Sequence, residues 1–330
     1  MKAPAFWQRQ PGLAAALLSP AAALWTGITR RRLRAGPACR AVVPVICVGN
    51  LVAGGAGKTP VVQALLCRLE VRGVRPAALS RGHGGRLAGP VRVDPARHGA
   101  WDVGDEPLLL AAGGAPCWVA RDRAMGAEAA VRAGAEVIVL DDGFQNPSLA
   151  KDLSLIVADG AAGFGNGRVI PAGPLREPLA DGLERAQAVV IIGQDRAGVR
   201  ALIGGRLPVL TARLVPDMAV SADLVGRRVL AFAGIGRPAK FFDTLAEMGA
   251  HVAEAVSFAD HHPYSDAEVE RLVARARKLD AVPVTTAKDA MRLGSRHREM
   301  VRVLPVTLAF NDMAALDALL DPLFSAHGQT

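Results

Sequence analysis

A short apolar run that empties into a glycine-rich loop and then a helix constrains this chain more than any other feature. Ala41-Val42-Val43-Pro44-Val45-Ile46-Cys47-Val48 has the length and apolar character of a buried strand. It leads into Gly49-Asn50-Leu51-Val52-Ala53-Gly54-Gly55-Ala56-Gly57-Lys58-Thr59-Pro60. Beyond it, Val61, Val62, Leu65, Leu66 and Leu69 recur along one helix face, and Pro60 suits the first turn. Glycines 54, 55 and 57 let the backbone curl its N–H groups around an anion where side chains would collide. The helix starting near Lys58 turns its positive end to the same place. Val52, Ala53, Gly54, Gly55, Ala56, Gly57, Lys58 and Thr59 therefore read as a phosphate-binding loop. In such a loop Lys58 reaches the outer phosphates of a nucleotide and Thr59 ligates Mg²⁺. Val52 stands where the usual pattern has glycine, but the GGxGKT core is intact. The expected fold class is α/β, with a parallel sheet of the P-loop NTPase type.

Acidic residues at strand ends are the next signal. Val137-Ile138-Val139-Leu140 ends in Asp141-Asp142-Gly143-Phe144-Gln145, where a phosphate-loop enzyme holds the water shell of its magnesium. Neighbouring side chains of an extended chain point to opposite faces, so strand geometry alone lets at most one of Asp141 and Asp142 face the metal. Asp105 and Glu106 open an apolar helix, Leu108 to Ala112. There they serve either as ordinary first-turn carboxylates or as a proton acceptor beside a metal-touching partner. Ser80-Arg81-Gly82-His83-Gly84-Gly85 and Arg121-Asp122-Arg123 concentrate polar chemistry in loops. Arg176, in Pro171-Ala172-Gly173-Pro174-Leu175-Arg176-Glu177-Pro178, is placed to neutralise transferring phosphate charge, although a plain loop fits the same residues.

Charge is unevenly placed. Of the net +8, residues 1–40 carry seven basic residues (Lys2, Arg9, Arg30, Arg31, Arg32, Arg34 and Arg40) and no acid; the remainder holds 32 basic and 31 acidic residues. A nucleic-acid binder spreads its basic residues over a folded face. Here the excess borders an uncharged stretch of 20 residues between Arg9 and Arg30, so anionic lipid is the expected partner and nucleic acid is not. As a helix the stretch would be about 30 Å long, but it is rich in Ala and contains Pro20. It reads as a helix lying in the membrane, a span, or a signal peptide; a following domain that needs ATP argues against export. Trp7 and Trp25 suit the interfacial zone, with the arginines on the cytoplasmic side. Cys39, Cys47, Cys67 and Cys117 have no zinc-site spacing and fit a reducing compartment.

The second half alternates strand and helix patterns: Val229 to Ala233, Ala239 to Met248, Val252 to Phe258, and Ser265 to Leu279. This predicts a second, smaller α/β unit. The expected division is 1–36 for the membrane-associated helix and basic cluster, 37–222 for the phosphate-loop unit and 223–330 for the smaller one. Asp260-His261-His262 lies between a strand and a helix, where Asp260 could orient His261 toward a carboxylate across a cleft. Lys288-Asp289 reads at least as well as a helix start as it does a base-reading pair.

Taken in order, these segments resemble the tetraacyldisaccharide 4'-kinase family. The resemblance rests on the apolar start and on Val48-Gly49-Asn50 leading into GGxGKTP. It continues through Ser80-Arg81-Gly82-x-Gly84-Gly85, Gly104-Asp105-Glu106-Pro107, Asp141-Asp142-Gly143-Phe144-Gln145 and Gly173-Pro174-Leu175-Arg176-Glu177-Pro178. In the second half it takes in Gly234-Ile235-Gly236-x-Pro238, Phe258-x-Asp260-His261-His262-x-Tyr264 and Thr285-Thr286-x-Lys288-Asp289-Ala290. The resemblance implies transfer of the γ-phosphate of ATP, with Mg²⁺, to an acylated glucosamine disaccharide 1-phosphate lipid at the cytoplasmic face of the inner membrane. It implies Asp105 as base assisted by His261, Asp141 and Asp142 at the metal with Glu106, and Lys58 and Thr59 at the nucleotide. No protein partner is expected. His83 and Asn146 depart from the family's usual aromatic and histidine; Asn146 cannot act as a base at neutral pH. A membrane-tethered nucleotide switch or metallochaperone-type GTPase is the alternative, but the chain lacks the Asn-Lys-x-Asp segment that reads guanine. A soluble kinase for a small metabolite would leave the N-terminus without purpose.

Overall fold

A computed structural model describes residues 4–325; Lys2 of the basic N-terminus and the outer ends of the 1–36 and 223–330 units lie outside them. Nearly continuous apolar runs build strands buried on both faces, as a parallel sheet covered by helices requires. The larger sheet has nine strands, ordered Val306–Phe310, Val209–Pro216, Ala188–Ile192, Leu153–Asp159, Val45–Gly49, Val137–Asp141, Pro76–Ser80, Cys117–Val119 and Val91–Arg92. The central seven are parallel and the two edges antiparallel. The chain leaves Val45–Gly49 toward one edge and later builds outward on its other side. The loop after that strand therefore opens where the winding reverses, the usual crevice for a ligand.

The helix Lys58–Val71 packs on one face through Val61, Val62, Leu65, Leu66 and Leu69, as their spacing anticipates. The helix Arg123–Arg132 lies on the other, where Ala127 joins the core around Phe144, Leu149 and Phe164. A second sheet of four parallel strands, ordered His251–Ser257, Arg228–Ala233, Val282–Thr286 and Arg302–Leu304, forms the smaller unit. The boundary expected at 223–330 needs correction at its far end. Val306–Phe310 pairs antiparallel with Val209–Pro216, and the helix Met313–Ser325 returns to the larger core. There Asp317 receives Arg68 and Arg72.

The N-terminal helix runs unbroken from Leu13 to Arg34 despite Pro20. Ala15 and Ala22 are buried, whereas Leu13, Leu17, Leu24 and Ile28 are exposed. At about 100° per residue the four exposed side chains fall within about 60° of arc, opposite the two alanines. Among the described residues no helix is long and apolar enough to cross a membrane.

Candidate active site

The site is assembled from three strand ends and the facing edge of the smaller unit. Gly57 caps the Lys58–Val71 helix with φ +84°, and a Cβ there would stand 2.7 Å from Ile192 Cδ1, so only glycine fits the turn. Gly236 of the smaller unit lies on the loop: a Cβ on it would come within 2.9 Å of the Gly55 nitrogen. Arg237 and Lys240 reach across to Asp159 at the end of its strand. The two units thus meet over the phosphate loop. One loop residue faces elsewhere: the Ala53 N–H donates to Pro174 O at 2.8 Å and is not available to a phosphate. Val52 forms an isolated bridge with Leu175.

Lys58 is nearly buried, with Nζ 3.6 Å from Asp142 Oδ2, and Thr59 Oγ1 donates to Asp141 Oδ2 at 3.4 Å. Both aspartates therefore face the loop, contrary to the expectation from strand alternation. The reason is local: Val137–Asp141 ends the strand and Asp142 takes φ +56°, which turns its side chain back to the same side. Burial pushes the Asp141 carboxyl up to about 7, reinforced by the nearby charge of Glu106. Burial pushes Asp142 the same way, but Lys58 and Arg176 outweigh it and hold that carboxylate below its ordinary range. Arg176 grips Asp142 with both terminal nitrogens, at 2.9 and 3.3 Å, and donates to Gln145 Oε1 at 3.2 Å.

Asp105, nearly buried, begins the helix Asp105–Ala112. It accepts from His261 Nδ1 at 2.9 Å and from the Glu106 N–H at 2.9 Å, and the Arg292 Nε stands 3.3 Å away. Lys288 Nζ donates to Glu106 Oε1 at 2.8 Å and approaches His261 Nε2 at 3.3 Å. An ammonium can only donate, so Nε2 is the acceptor and the imidazole proton sits on Nδ1, aimed at Asp105. Burial would raise the Asp105 and Glu106 carboxyls, but His261 and Lys288 keep the first, and Lys288 and Lys58 the second, below their usual values. The same carboxylates hold Lys288 charged against the opposing effect of burial.

Several motif residues do not join the site. Asp260, expected to orient His261, stands 3.9 Å from Nε2; Asp105 and Lys288 orient the ring instead. His262 stacks on Phe258 and meets Glu268. Asn146 accepts from Ser148 within its own turn, and Arg123 is buried against Ala120 O. Gly82 and Gly85 support the site from beneath: a Cβ on Gly85 would come within 2.7 Å of the Val103 carbonyl carbon, beside the turn that presents Asp105. Asp289 is wholly buried and accepts from the Gly234 N–H, Tyr264 and Arg292, so it builds the smaller unit rather than reading a base. Residue reading alone missed Lys288 and Arg292. The Thr285–Ala290 segment marked the neighbourhood, but nothing in it said that Lys288 would cross the cleft.

Among the described residues no three His, Cys, Asp or Glu side chains close around a metal by themselves. The donors nonetheless fit Mg²⁺, which takes one or two carboxylates and completes its shell with water and phosphate. The buried Asp141 Oδ1 has no hydrogen-bond partner, beside the Thr59 hydroxyl and the Asp142 and Glu106 carboxylates.

The chain matches the profile of tetraacyldisaccharide-1-P 4'-kinase over residues 14–325. It is 64% identical to the tetraacyldisaccharide 4'-kinase of Rhodospirillum centenum, covering 100% of this chain and 99% of the relative. It is 54% identical to that of Rhodospirillum rubrum, covering 98% of each. A crystal structure of LpxK from Aquifex aeolicus in complex with ATP superposes with a TM-score of 0.74 at 27% identity, over 94% of this chain and 100% of that one. Extending nearly end to end, these matches establish that the chain belongs to the tetraacyldisaccharide-1-P 4'-kinase family.

Proposed function

We propose that the chain transfers the γ-phosphate of ATP to the 4'-hydroxyl of a tetraacylated glucosamine disaccharide 1-phosphate, a step in lipid A biosynthesis. The observation that carries this reading is a carboxylate, Asp105, held ionised by His261, Lys288 and Arg292 in the cleft that also contains Lys58 and Asp142. Asp105 takes the proton of the acceptor hydroxyl as its oxygen bonds to the γ-phosphorus and the bond to the bridging oxygen breaks, releasing ADP. His261 donates through Nδ1 to Asp105 and aims it. The loop amides and Lys58 bind the phosphates, and Arg176 neutralises charge on the transferring group. Thr59, Asp141, Asp142 and Glu106 are the residues that would hold Mg²⁺, which supplies positive charge to the phosphate oxygens when bound. Meeting of the two units over the loop excludes the water that would compete with the sugar hydroxyl.

The N-terminal helix supports a place on the cytoplasmic face of the inner membrane. Its exposed stripe of Leu13, Leu17, Leu24 and Ile28 suits the acyl boundary, and Arg31, Arg32 and Arg34 at its end suit anionic headgroups. The guanine-nucleotide switch gains no support, since the chain lacks the segment that would read that base. Asp105→Asn tests the proposal: lipid phosphorylation should be lost while nucleotide binding persists. Undiminished transfer by that variant would remove Asp105 from the base role.

A further inference from the structure

The N-terminal helix reaches the active site through one loop, residues 166–178. Two indoles hold that loop, one near its middle and one toward its end: Trp7 Nε1, from the short turn Ala5–Gln8 ahead of the helix, donates to Pro171 O at 3.1 Å, and Trp25 Nε1 on the helix donates to Arg176 O at 3.0 Å. The Asn166 N–H donates to Trp7 O at 2.8 Å. Gly165 leaves room for the turn that carries Trp7, since a Cβ there would stand 2.5 Å from the same oxygen. Just beyond the loop, Arg30 forks Asp181 at 2.6 and 3.0 Å. On its inner side the loop is stitched to the phosphate loop, with the Arg176 N–H donating to Leu51 O at 2.7 Å and the Ala53 N–H to Pro174 O at 2.8 Å. Arg176 then grips Asp142, which lies beside Lys58. From sequence both indoles were assigned to the lipid interface; in the fold their polar handles are committed to protein carbonyls.

We infer that Trp25 is a positioning residue for Arg176, so that the N-terminal helix sets active-site geometry as well as lying on lipid. The inference rests on the reading that Arg176 meets the transferring phosphate. One indole N–H fixes the backbone from which the guanidinium springs, and small displacements of a charge-stabilising group are felt in the transfer step. A lipid anchor would act differently: it would govern how much enzyme reaches the membrane and leave turnover in micelles alone.

A double-mutant cycle of Trp25→Phe and Arg176→Ala tests this, with the acceptor in detergent mixed micelles and ATP varied. Trp25→Phe keeps the ring and deletes the donor. It should lower kcat about threefold to tenfold, the range for losing one hydrogen bond, with KM for ATP within about twofold. In the Arg176→Ala background the same change should cost nothing further. Binding of Trp25→Phe to vesicles of phosphatidylethanolamine and phosphatidylglycerol should match wild type. Equal losses in both backgrounds, or weakened vesicle binding with full micellar kcat, would overturn the coupling. Full turnover by Arg176→Ala alone would instead remove the reading of Arg176 on which it stands.

Discussion

Asp141→Asn should make the metal-free protein more stable at pH 8 while destroying its activity. Asp141 is wholly buried, one of its oxygens has no partner, and its carboxyl is pushed up to about 7 by burial and by Glu106. Between the ordinary value near 3.8 and about 7, the folded chain holds a proton that the unfolded chain has released, so stability falls as pH rises through that window. The destabilisation is absent below about pH 4 and fully present above about 7. A carboxyl held at about 7 instead of 3.8 corresponds to a ceiling of roughly 4 kcal/mol. Asparagine forfeits part of this because its amide must also find partners, leaving about 1–3 kcal/mol. For a chain of this size that is a rise in Tm of about 1.5–4 °C. Calorimetry of both proteins without Mg²⁺ at pH 8 and pH 4.5 reads it directly: the gain should appear at pH 8 and shrink at pH 4.5. Adding Mg²⁺ at pH 8 should raise the Tm of wild type and not of the variant. An Asp141→Asn protein that melts below wild type at pH 8 would refute a buried charge whose desolvation outweighs its partners.

Lys288→Met should lower kcat about 100-fold and move the acid limb of the kcat/KM profile to higher pH, because Asp105 and Glu106 lose the cation that holds them ionised. Lys288→Arg should restore part of both, and an unmoved limb would count against the network. Leu17→Ser with Leu24→Ser should weaken binding to anionic vesicles about tenfold or more without lowering Tm, since both side chains are exposed; unchanged vesicle binding would exclude that stripe from the lipid contact. Gly57→Ala should weaken nucleotide binding at least tenfold, because a φ of +84° strains any residue with a Cβ and a methyl group there would also displace the end of Ile192. A variant that still binds ATP with wild-type affinity would contradict the assigned loop geometry.

Much of the site was legible because its parts are local. Strand, glycine loop and helix are consecutive between Val45 and Val71, so composition and spacing alone made that strand–loop–helix unit readable. The acidic pair was found, but its orientation was misjudged: period-2 alternation holds only while the chain stays extended, and Asp142 has already turned to positive φ. What crosses between units was hidden. Lys288 lies 182 residues from Glu106, and only the approach of the short helix Ala287–Ala290 to the helix Asp105–Ala112 brings them together. The closing strand Val306–Phe310 was missed for a similar reason, since its apolar pattern suits an edge of either sheet and register with Val209–Pro216 decides which. The tryptophans carry the same lesson. An indole flanking an apolar helix looks like a membrane marker until a carbonyl from a distant loop claims its proton.

The central claim is that phosphate passes from ATP to a sugar oxygen held in the cleft between Lys58 and Asp105. The most direct measurement follows γ-labelled ATP with Mg²⁺ and the tetraacylated disaccharide 1-phosphate, and maps the product by mass spectrometry. Label should appear on the 4'-oxygen in a one-to-one ratio with ADP, and little inorganic phosphate should form when the lipid is left out. ADP accompanied by free phosphate, with the lipid unlabelled, would contradict it.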